Sequence, residues 1–166
     1  MINSLSQFCN PVTVDLLGHG KTEKPGNADR FSLTCQLQDL HQIICELPAS
    51  SLFLHGYSMG GRLALRFALK HAGLLKGLIL ESTNFGLPTK KRKNDRKKID
   101  EKRARHIETD FHDFLDKWQQ MPLFNSGVEI PVELSQQYRQ IQVAQAPDAM
   151  ANSLRGFGTA KMPVRA

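Results

Sequence analysis

The 166-residue sequence contains few cysteines and no long hydrophobic run. Its three cysteines, Cys9, Cys35 and Cys45, are an odd number without metal-like spacing, which favours free thiols in a reducing cytoplasm. No apolar run reaches the ~20 residues of a membrane-spanning helix, and residues 1–10 lack the basic-then-apolar order of a secretory signal. The sequence therefore predicts a cytoplasmic protein without a membrane span or a metal site built from cysteines.

Aromatic residues are also scarce, at 7%, and the formal net charge is +6. The excess is concentrated in residues 90–105, where ten basic residues stand against three acidic ones, a local balance of +7. Such a run could be a solvated helix face, the wall of a pocket for a small anionic substrate, or a nucleic-acid stripe. Because no aromatic residue interrupts it, no stacking platform is visible, and we expect no specific nucleic-acid binding.

The first half of the sequence alternates predicted strands with predicted helices. Strands are expected over residues 11–16, 51–57 and 75–81, and helices over residues 33–47 and from Ser58 to about His71, with Gly73 as a C-cap. This alternation indicates a parallel α/β sheet. The near-continuous apolar run of the second strand predicts burial on both faces.

The character of the sequence changes after Ser82. Four helical stretches follow, over residues 90–105, 110–120, 132–144 and 147–154, and no convincing strand lies among them. Helices without strands after an α/β unit predict an inserted helical cap.

One stretch combines a strand, a tight turn and a helix around a serine. Gly56-x-Ser58-x-Gly60 follows an apolar strand and precedes a helical pattern, as in a nucleophile elbow. Glycine on each side of Ser58 is expected to remove steric collisions in the sharp turn. Ser58 is therefore the candidate nucleophile, and the backbone N–H of Met59 is the candidate oxyanion donor. The alternative is a purely structural strand-to-helix turn.

Several motifs carry a resemblance to a known family. They are Val14-Asp15-Leu16-x-Gly18-His19-Gly20, Gly56-Tyr57-Ser58-Met59-Gly60-Gly61-Arg62 and Leu78-Ile79-Leu80-Glu81-Ser82. Together they resemble the α/β-hydrolases. Further motifs are Trp118 with Pro122-Leu123-Phe124, Arg139, and Ser153-Leu154-Arg155. With these, the sequence is similar to the 2-succinyl-6-hydroxy-2,4-cyclohexadiene-1-carboxylate synthases of menaquinone synthesis.

The resemblance implies an α/β-hydrolase fold with an inserted helical cap. It places a partial parallel sheet and the elbow in residues 1–82, the cap in residues 83–156 and a return to the core in residues 157–166. It also implies a carbon–oxygen lyase that eliminates pyruvate from a cyclohexene precursor without metal or organic cofactor.

The resemblance also assigns site residues. Ser58 matches the serine of the catalytic triad, and Met59 matches an oxyanion donor. Tyr57, Arg62, Arg96, Trp118 and Arg139 match substrate-binding positions, with Arg92 as an alternative to Arg96. Arginines suit a small carboxylated substrate because they bind carboxylates through two parallel hydrogen bonds.

Two features of such enzymes have no counterpart in the sequence. The strand that carries the second oxyanion donor and the Asp and His of the triad are not recognisable, and His19 and His55 are poor substitutes for the His. We therefore expect a central piece of the enzyme, inactive by itself. Two alternatives stay open: a general ester or thioester hydrolase with Ser58 as covalent nucleophile, and a non-catalytic remnant or basic binding module.

Overall fold

The computed structural model describes residues 2–124 and 130–163. In that part of the chain the helices are α1 (Ile2–Leu5), α2 (Leu33–Glu46), α3 (Ser58–Lys70), α4 (Lys90–Thr109), α5 (Phe111–Gln119), α6 (Val132–Val143) and α7 (Pro147–Phe157), and the strands are β1 (Phe53–Tyr57) and β2 (Gly77–Glu81). Short 3₁₀ turns occupy Ala28–Phe31, Ala72–Leu74, Pro122–Phe124 and Thr159–Lys161. No helix of the described residues is long and apolar enough to cross a bilayer.

The two strands form one parallel pair. Their register runs from Phe53 opposite Gly77 to Tyr57 opposite Glu81, and helix α3 makes the crossover between them. Parallel strands need such a crossover, because a hairpin can only join antiparallel strands. The carboxyl ends of both strands therefore lie side by side, next to the first turn of α3.

The strand predicted over residues 11–16 does not form. In the described residues the sheet has two strands, so no neighbour offers this segment a hydrogen-bond ladder. The predicted burial of the second strand on both faces is also wrong, since Phe53 is 64% and Tyr57 is 56% exposed. The side-chain pattern of a segment indicates its propensity to form a strand, whereas its hydrogen-bonded neighbour and the burial of its faces depend on other segments of the chain.

The helix predictions for the first half are confirmed with one correction. Helix α2 begins after Ser32, whose side chain accepts a hydrogen bond from the N–H of Cys35, as an N-cap does. Helix α3 ends at Lys70 with His71 as its C-cap, so the prediction of Gly73 as the cap is wrong. His71 has φ −132°, which requires no glycine, and Gly73 lies in the following 3₁₀ turn.

The main apolar core lies between α2, α3 and the end of α7. Leu37, Leu40 and Ile44 face Leu63 and Phe67, and the cluster also contains Phe157 and Met162. Phe67, Phe157 and Met162 are fully buried. The last helix is therefore anchored in the same core as the elbow helix, although Phe67 and Phe157 are 90 positions apart in the sequence.

The four predicted helices after Ser82 are confirmed as α4–α7. Helices α4 and α7 pack together through Ala104, Ile107 and Ala151, all nearly or fully buried. Small side chains on both helices allow a close approach. Lys91, Lys98 and Lys102 on the opposite side of α4 are exposed, which confirms a solvated face for part of the basic run, whereas Lys93 is half-buried and donates to the Met162 carbonyl.

A network of charges joins α7 to α4. Arg155 donates hydrogen bonds to both Glu101 and Glu108, and Glu101 also accepts one from Arg105 at 3.0 Å. The Arg155 and Arg105 guanidiniums lower the pKa of Glu101 from 4.5 to about 2. Because the folded state favours the ionised carboxylate, the network stabilises the folded protein above the ordinary pKa of Glu101.

This network predicts an acid-dependent loss of stability. Between about pH 4.5 and 2 the unfolded chain binds a proton at Glu101 that the folded chain does not, so the free energy of unfolding should fall as the pH falls through this range. Glu101→Gln should flatten this slope in urea titrations followed by circular dichroism. Glu133→Gln, on the exposed first turn of α6, serves as control, and equal slopes for both variants would contradict the assignment.

Candidate active site

The backbone turns sharply at Ser58. This residue follows β1 directly, begins α3 and has φ 47°, in the left-handed region that L-residues seldom adopt. Such a conformation costs about 1–3 kcal/mol and persists only where surrounding contacts hold it. Strand, strained serine and helix together have the form of a nucleophile elbow.

Two glycines allow the strand, the turn and the helix to approach closely. An ideal Cβ on Gly56 would lie 2.6 Å from the carbonyl oxygen of Gly60, and one on Gly61 would lie 2.7 Å from Cβ of Thr83. The expectation that Gly60 serves the same purpose is wrong, because a Cβ there meets nothing within 4 Å. The turn depends on Gly56 and Gly61.

Thr83 is a positioning residue that the sequence reasoning missed. Its hydroxyl donates a hydrogen bond of 2.9 Å to the carbonyl oxygen of Ser58, and its side chain packs on Gly61. Thr83 therefore ties the loop after β2 to the elbow. The parallel register, which places Glu81 opposite Tyr57, could have located it beside the elbow.

No imidazole of the described residues hydrogen-bonds to Ser58. The His55 Nε2 atom lies 3.4 Å from a carboxylate oxygen of Glu81 on the neighbouring strand. The His19 Nδ1 atom lies 3.0 Å from the carbonyl oxygen of Leu17 within its own turn. Neither histidine is therefore placed as a base, and no group of three potential metal ligands converges in the described part of the chain.

Arg62 lies one helical turn after Ser58 on α3. Its guanidinium lies 5.8 Å from the ring centre of Phe157, and its Nε is buried without a hydrogen-bond partner in the described residues. Burial lowers the pKa of Arg62 most, and the positive charge of Arg96 lowers it further. A desolvated, unpaired guanidinium beside a nucleophile is a candidate anion-binding group.

Arg96 comes from helix α4 to the same region. Its Nε donates a 2.6 Å hydrogen bond to Asp100, which is only 4% exposed. The second carboxylate oxygen of Asp100 is buried without a partner in the described residues. Arg92 is exposed near the start of α4, so Arg96 fits the predicted role better.

Trp118 lies on α5 within an aromatic cluster. Its ring stacks on Phe114 at 5.6 Å between centres and contacts Phe124 at 5.4 Å. The guanidinium of Arg103 lies 4.9 Å from its ring centre. Arg103 was not singled out in the sequence, because it lies within the basic run and only the packing of α4 on α5 distinguishes it.

The remaining predicted site residues are more dispersed. Tyr57 is exposed at the end of β1, and Met59 is half-buried, with its sulfur 3.9 Å from the hydroxyl of Ser153. Arg139 on α6 forms a 2.6 Å ion pair with Asp116, and its Nη1 is buried without a partner in the described residues. The described structure thus links Arg62 with Arg96, whereas it pairs Arg139 with α5.

Comparisons with known proteins place these features in a family. A model of the alpha/beta hydrolase fold matches residues 1–122. A putative 2-succinyl-6-hydroxy-2,4-cyclohexadiene-1-carboxylate synthase from Bacillus subtilis (strain 168) is 37% identical over 92% of this chain and 56% of its own length. The 2-succinyl-6-hydroxy-2,4-cyclohexadiene-1-carboxylate synthase of Photorhabdus laumondii is 28% identical over 98% of this chain and 57% of its own.

Solved structures agree with the family match. The structure of MenH from S. aureus superposes with TM-score 0.87 and 34% identity, over 97% of this chain and 62% of that one. An esterase from Exiguobacterium antarcticum shares the fold, with TM-score 0.70 and 21% identity over 87% of this chain and 53% of that one. The chain therefore spans a little over half the length of the curated relatives named above.

The elbow geometry predicts opposite responses at its two glycines. Gly56→Ala should reduce the free energy of unfolding by about 1–3 kcal/mol or more, because the new methyl group meets backbone atoms at 2.6 Å. Gly60→Ala should be neutral or stabilising by up to about 1 kcal/mol, since the site is open and alanine favours helix. Urea unfolding of both variants tests this, and equal destabilisation would contradict the assigned contacts.

Proposed function

We propose that this chain, which belongs to the alpha/beta hydrolase family, carries the elbow and cap of a 2-succinyl-6-hydroxy-2,4-cyclohexadiene-1-carboxylate synthase of menaquinone synthesis. The similarity to the Bacillus subtilis and Photorhabdus laumondii proteins supports this activity over other members of the family. Because the chain spans a little over half of those relatives, the proposal concerns the part of the enzyme that binds substrate and presents the serine.

One observation carries the proposal. Arg62 follows Ser58 by one helical turn, and its Nε is buried without a partner in the described residues. Its guanidinium lies 5.8 Å from the ring centre of Phe157, whose neighbour Gly158 lies against the Asp100 carboxylate that pairs with Arg96. Asp100 offsets one of these two positive charges, and the second is held in a partly desolvated site at a cost in free energy unless a further anion joins it. A carboxylated substrate at Ser58 would supply that anion, whereas a neutral ester would not.

The reaction assigns a role to each residue. Ser58, activated by an imidazole, would remove a proton from the substrate ring, and a further ring double bond would form as the carbon–oxygen bond to the leaving group breaks. The enolpyruvate would depart with that electron pair and take up the proton held by the imidazole to become pyruvate. The Met59 N–H would donate to the developing oxyanion. Arg62, Arg96 and Arg139 would hold carboxylates, while Tyr57 and Trp118 would line the pocket.

The proposal includes a division of the chain and a location. Residues 1–82 would form the core with the elbow, residues 83–156 the cap, and residues 157–166 the return to the core, of which residues 164–166 lie outside the described residues. We further propose a cytoplasmic protein whose partner is a small carboxylated molecule. Neither a metal nor an organic cofactor has a role in this reaction.

The arginines should act through substrate charge. We expect Arg62→Ala and Arg96→Ala, and likewise Arg139→Ala, to lower kcat/KM for the carboxylated substrate roughly 30- to several-thousandfold. This corresponds to a loss of about 2–5 kcal/mol of transition-state stabilisation. The assay uses this chain joined to the segments of the Bacillus subtilis relative outside the matched region. Lysine at these positions should restore little, because a point charge does not reproduce the guanidinium fork.

The matched control is Lys97→Ala, an exposed cation adjacent to Arg96 on α4. It should leave the activity within about twofold, as surface charges usually do. Slow hydrolysis of a p-nitrophenyl ester should barely respond to any of these changes. If ester hydrolysis and pyruvate release fell equally, the arginines would be structural and the lyase proposal would fail.

A further inference from the structure

We propose that Arg103 is a third anion-binding arginine of this site, and that Arg62, Arg96 and Arg103 with Asp100 form a pocket for a dianion. These four residues are called the arginine cluster below. The inference deepens the proposed function and rests on it for the identity of the natural ligand. The binding itself needs neither turnover nor an activated Ser58.

The charges of the arginine cluster do not balance. It contains three guanidiniums and one carboxylate, which leaves a surplus of two positive charges. Asp100 is 4% exposed and pairs with Arg96 alone. Arg62 and Arg103 form no ion pair with any described residue, and Arg62 Nε is buried without a partner. A surplus of this size in a partly desolvated site matches a ligand with two negative charges.

Arg103 belongs to the cluster by its place on α4, because it lies one helical turn after Asp100 and two turns after Arg96, on the same side of the helix. Burial lowers its pKa most, Arg96 lowers it further, and Asp100 raises it, in agreement with this placement. The Arg62 guanidinium lies 5.8 Å from the ring centre of Phe157, and the next residue, Gly158, lies against the Asp100 carboxylate. The pKa of Arg62 responds to Arg96 and Asp100, in agreement with this placement. Arg103 Nη2 has only a weak contact with the sulfur of Met121, at 3.9 Å. Its donors are therefore available to a ligand.

The contact with Trp118 prepares Arg103 for this role. The guanidinium lies 4.9 Å from the centre of the indole ring, within range of a cation–π interaction. Stacking restricts the planar guanidinium while leaving the N–H groups at its edge free. A ligand carboxylate then meets an arginine whose orientation is already restricted, which lowers the entropic cost of binding.

Asp100 acts as a positioning residue and as an internal counter-charge. It accepts a hydrogen bond from Arg96 Nε, which leaves both terminal nitrogens of Arg96 free to form a fork with a ligand. A Cβ at Gly158 would lie 2.7 Å from the other oxygen of Asp100, so the glycine leaves room for the carboxylate. Without Asp100, the surplus of the cluster would rise from two charges to three.

The single tryptophan of the chain permits a direct test. Purified protein at about pH 7.5, where carboxylic acids are ionised, is titrated with succinate and with butyrate at constant ionic strength. Trp118 fluorescence and calorimetry are recorded in parallel. We expect succinate to bind at least about tenfold more tightly than butyrate, because each added carboxylate meets an unpaired guanidinium.

Two substitutions should act in opposite directions. Arg103→Gln should weaken succinate binding about tenfold or more while changing butyrate binding by less than about threefold. Asp100→Asn should tighten succinate binding about threefold or more, since it removes a negative charge and keeps an oxygen for Arg96. Arg103→Lys should weaken binding by an intermediate amount. Lys98→Gln, an exposed cation on the same helix that forms no ion pair with the described residues, is the matched control and should leave succinate binding unchanged.

The outcomes decide between the two proposals. Equal affinities for succinate and butyrate, or an unchanged succinate affinity in folded Arg103→Gln, would overturn the role of Arg103. General unfolding cannot imitate the expected pattern, because Asp100→Asn has to strengthen binding. If succinate binds as expected and the joined chain releases no pyruvate, the lyase proposal fails and the dianion site stands. If pyruvate is released and Arg103→Gln leaves the affinity for succinate unchanged, the lyase proposal stands and the role of Arg103 fails.

Discussion

The left-handed backbone of Ser58 is the constraint on which the described site depends. It places the end of β1 against the first turn of α3, and that approach is possible because Gly56 and Gly61 present no side chain to the facing backbone and to Thr83. The hydrogen bond from Thr83 holds the carbonyl of the strained residue. The elbow therefore fixes the position of Ser58 and, one helical turn later, that of Arg62.

Helix α4 carries the other charged residues of the proposed site, Arg96, Asp100 and Arg103. Its outer face carries lysines in solvent, while Asp100, Ala104 and Ile107 face inward and Arg96 and Arg103 lie half-buried between the two. The same basic run thus combines a solvated surface with the half-buried arginines of the proposed anion site. Arg155, through Glu101 and Glu108, holds α4 against α7, and Phe157 at the end of α7 enters the core beside the elbow helix.

Prediction from the sequence succeeded where the determinants are local. Helix α2 follows from apolar periodicity and α5 from apolar residues on one side, the polar helix α4 was predicted without an apolar stripe, and the elbow follows from glycine spacing around Ser58 between strand and helix patterns. Prediction failed where partners decide the outcome. Residues 11–16 have a strand-like pattern but no strand beside them in the described residues. The apolar run of β1 predicts a buried strand, although Phe53 and Tyr57 are exposed.

The sequence by itself determined the family, the position of the serine and the excess of positive charge after residue 89, because these depend on residue type and spacing along the chain. The tertiary structure decided which cations leave solvent. Arg96 and Arg103 are half-buried whereas Lys97, Lys98 and Lys102 are exposed, and Arg103 lies over Trp118 because α4 packs on α5. Burial, on which the proposed anion site depends, is a property of that packing.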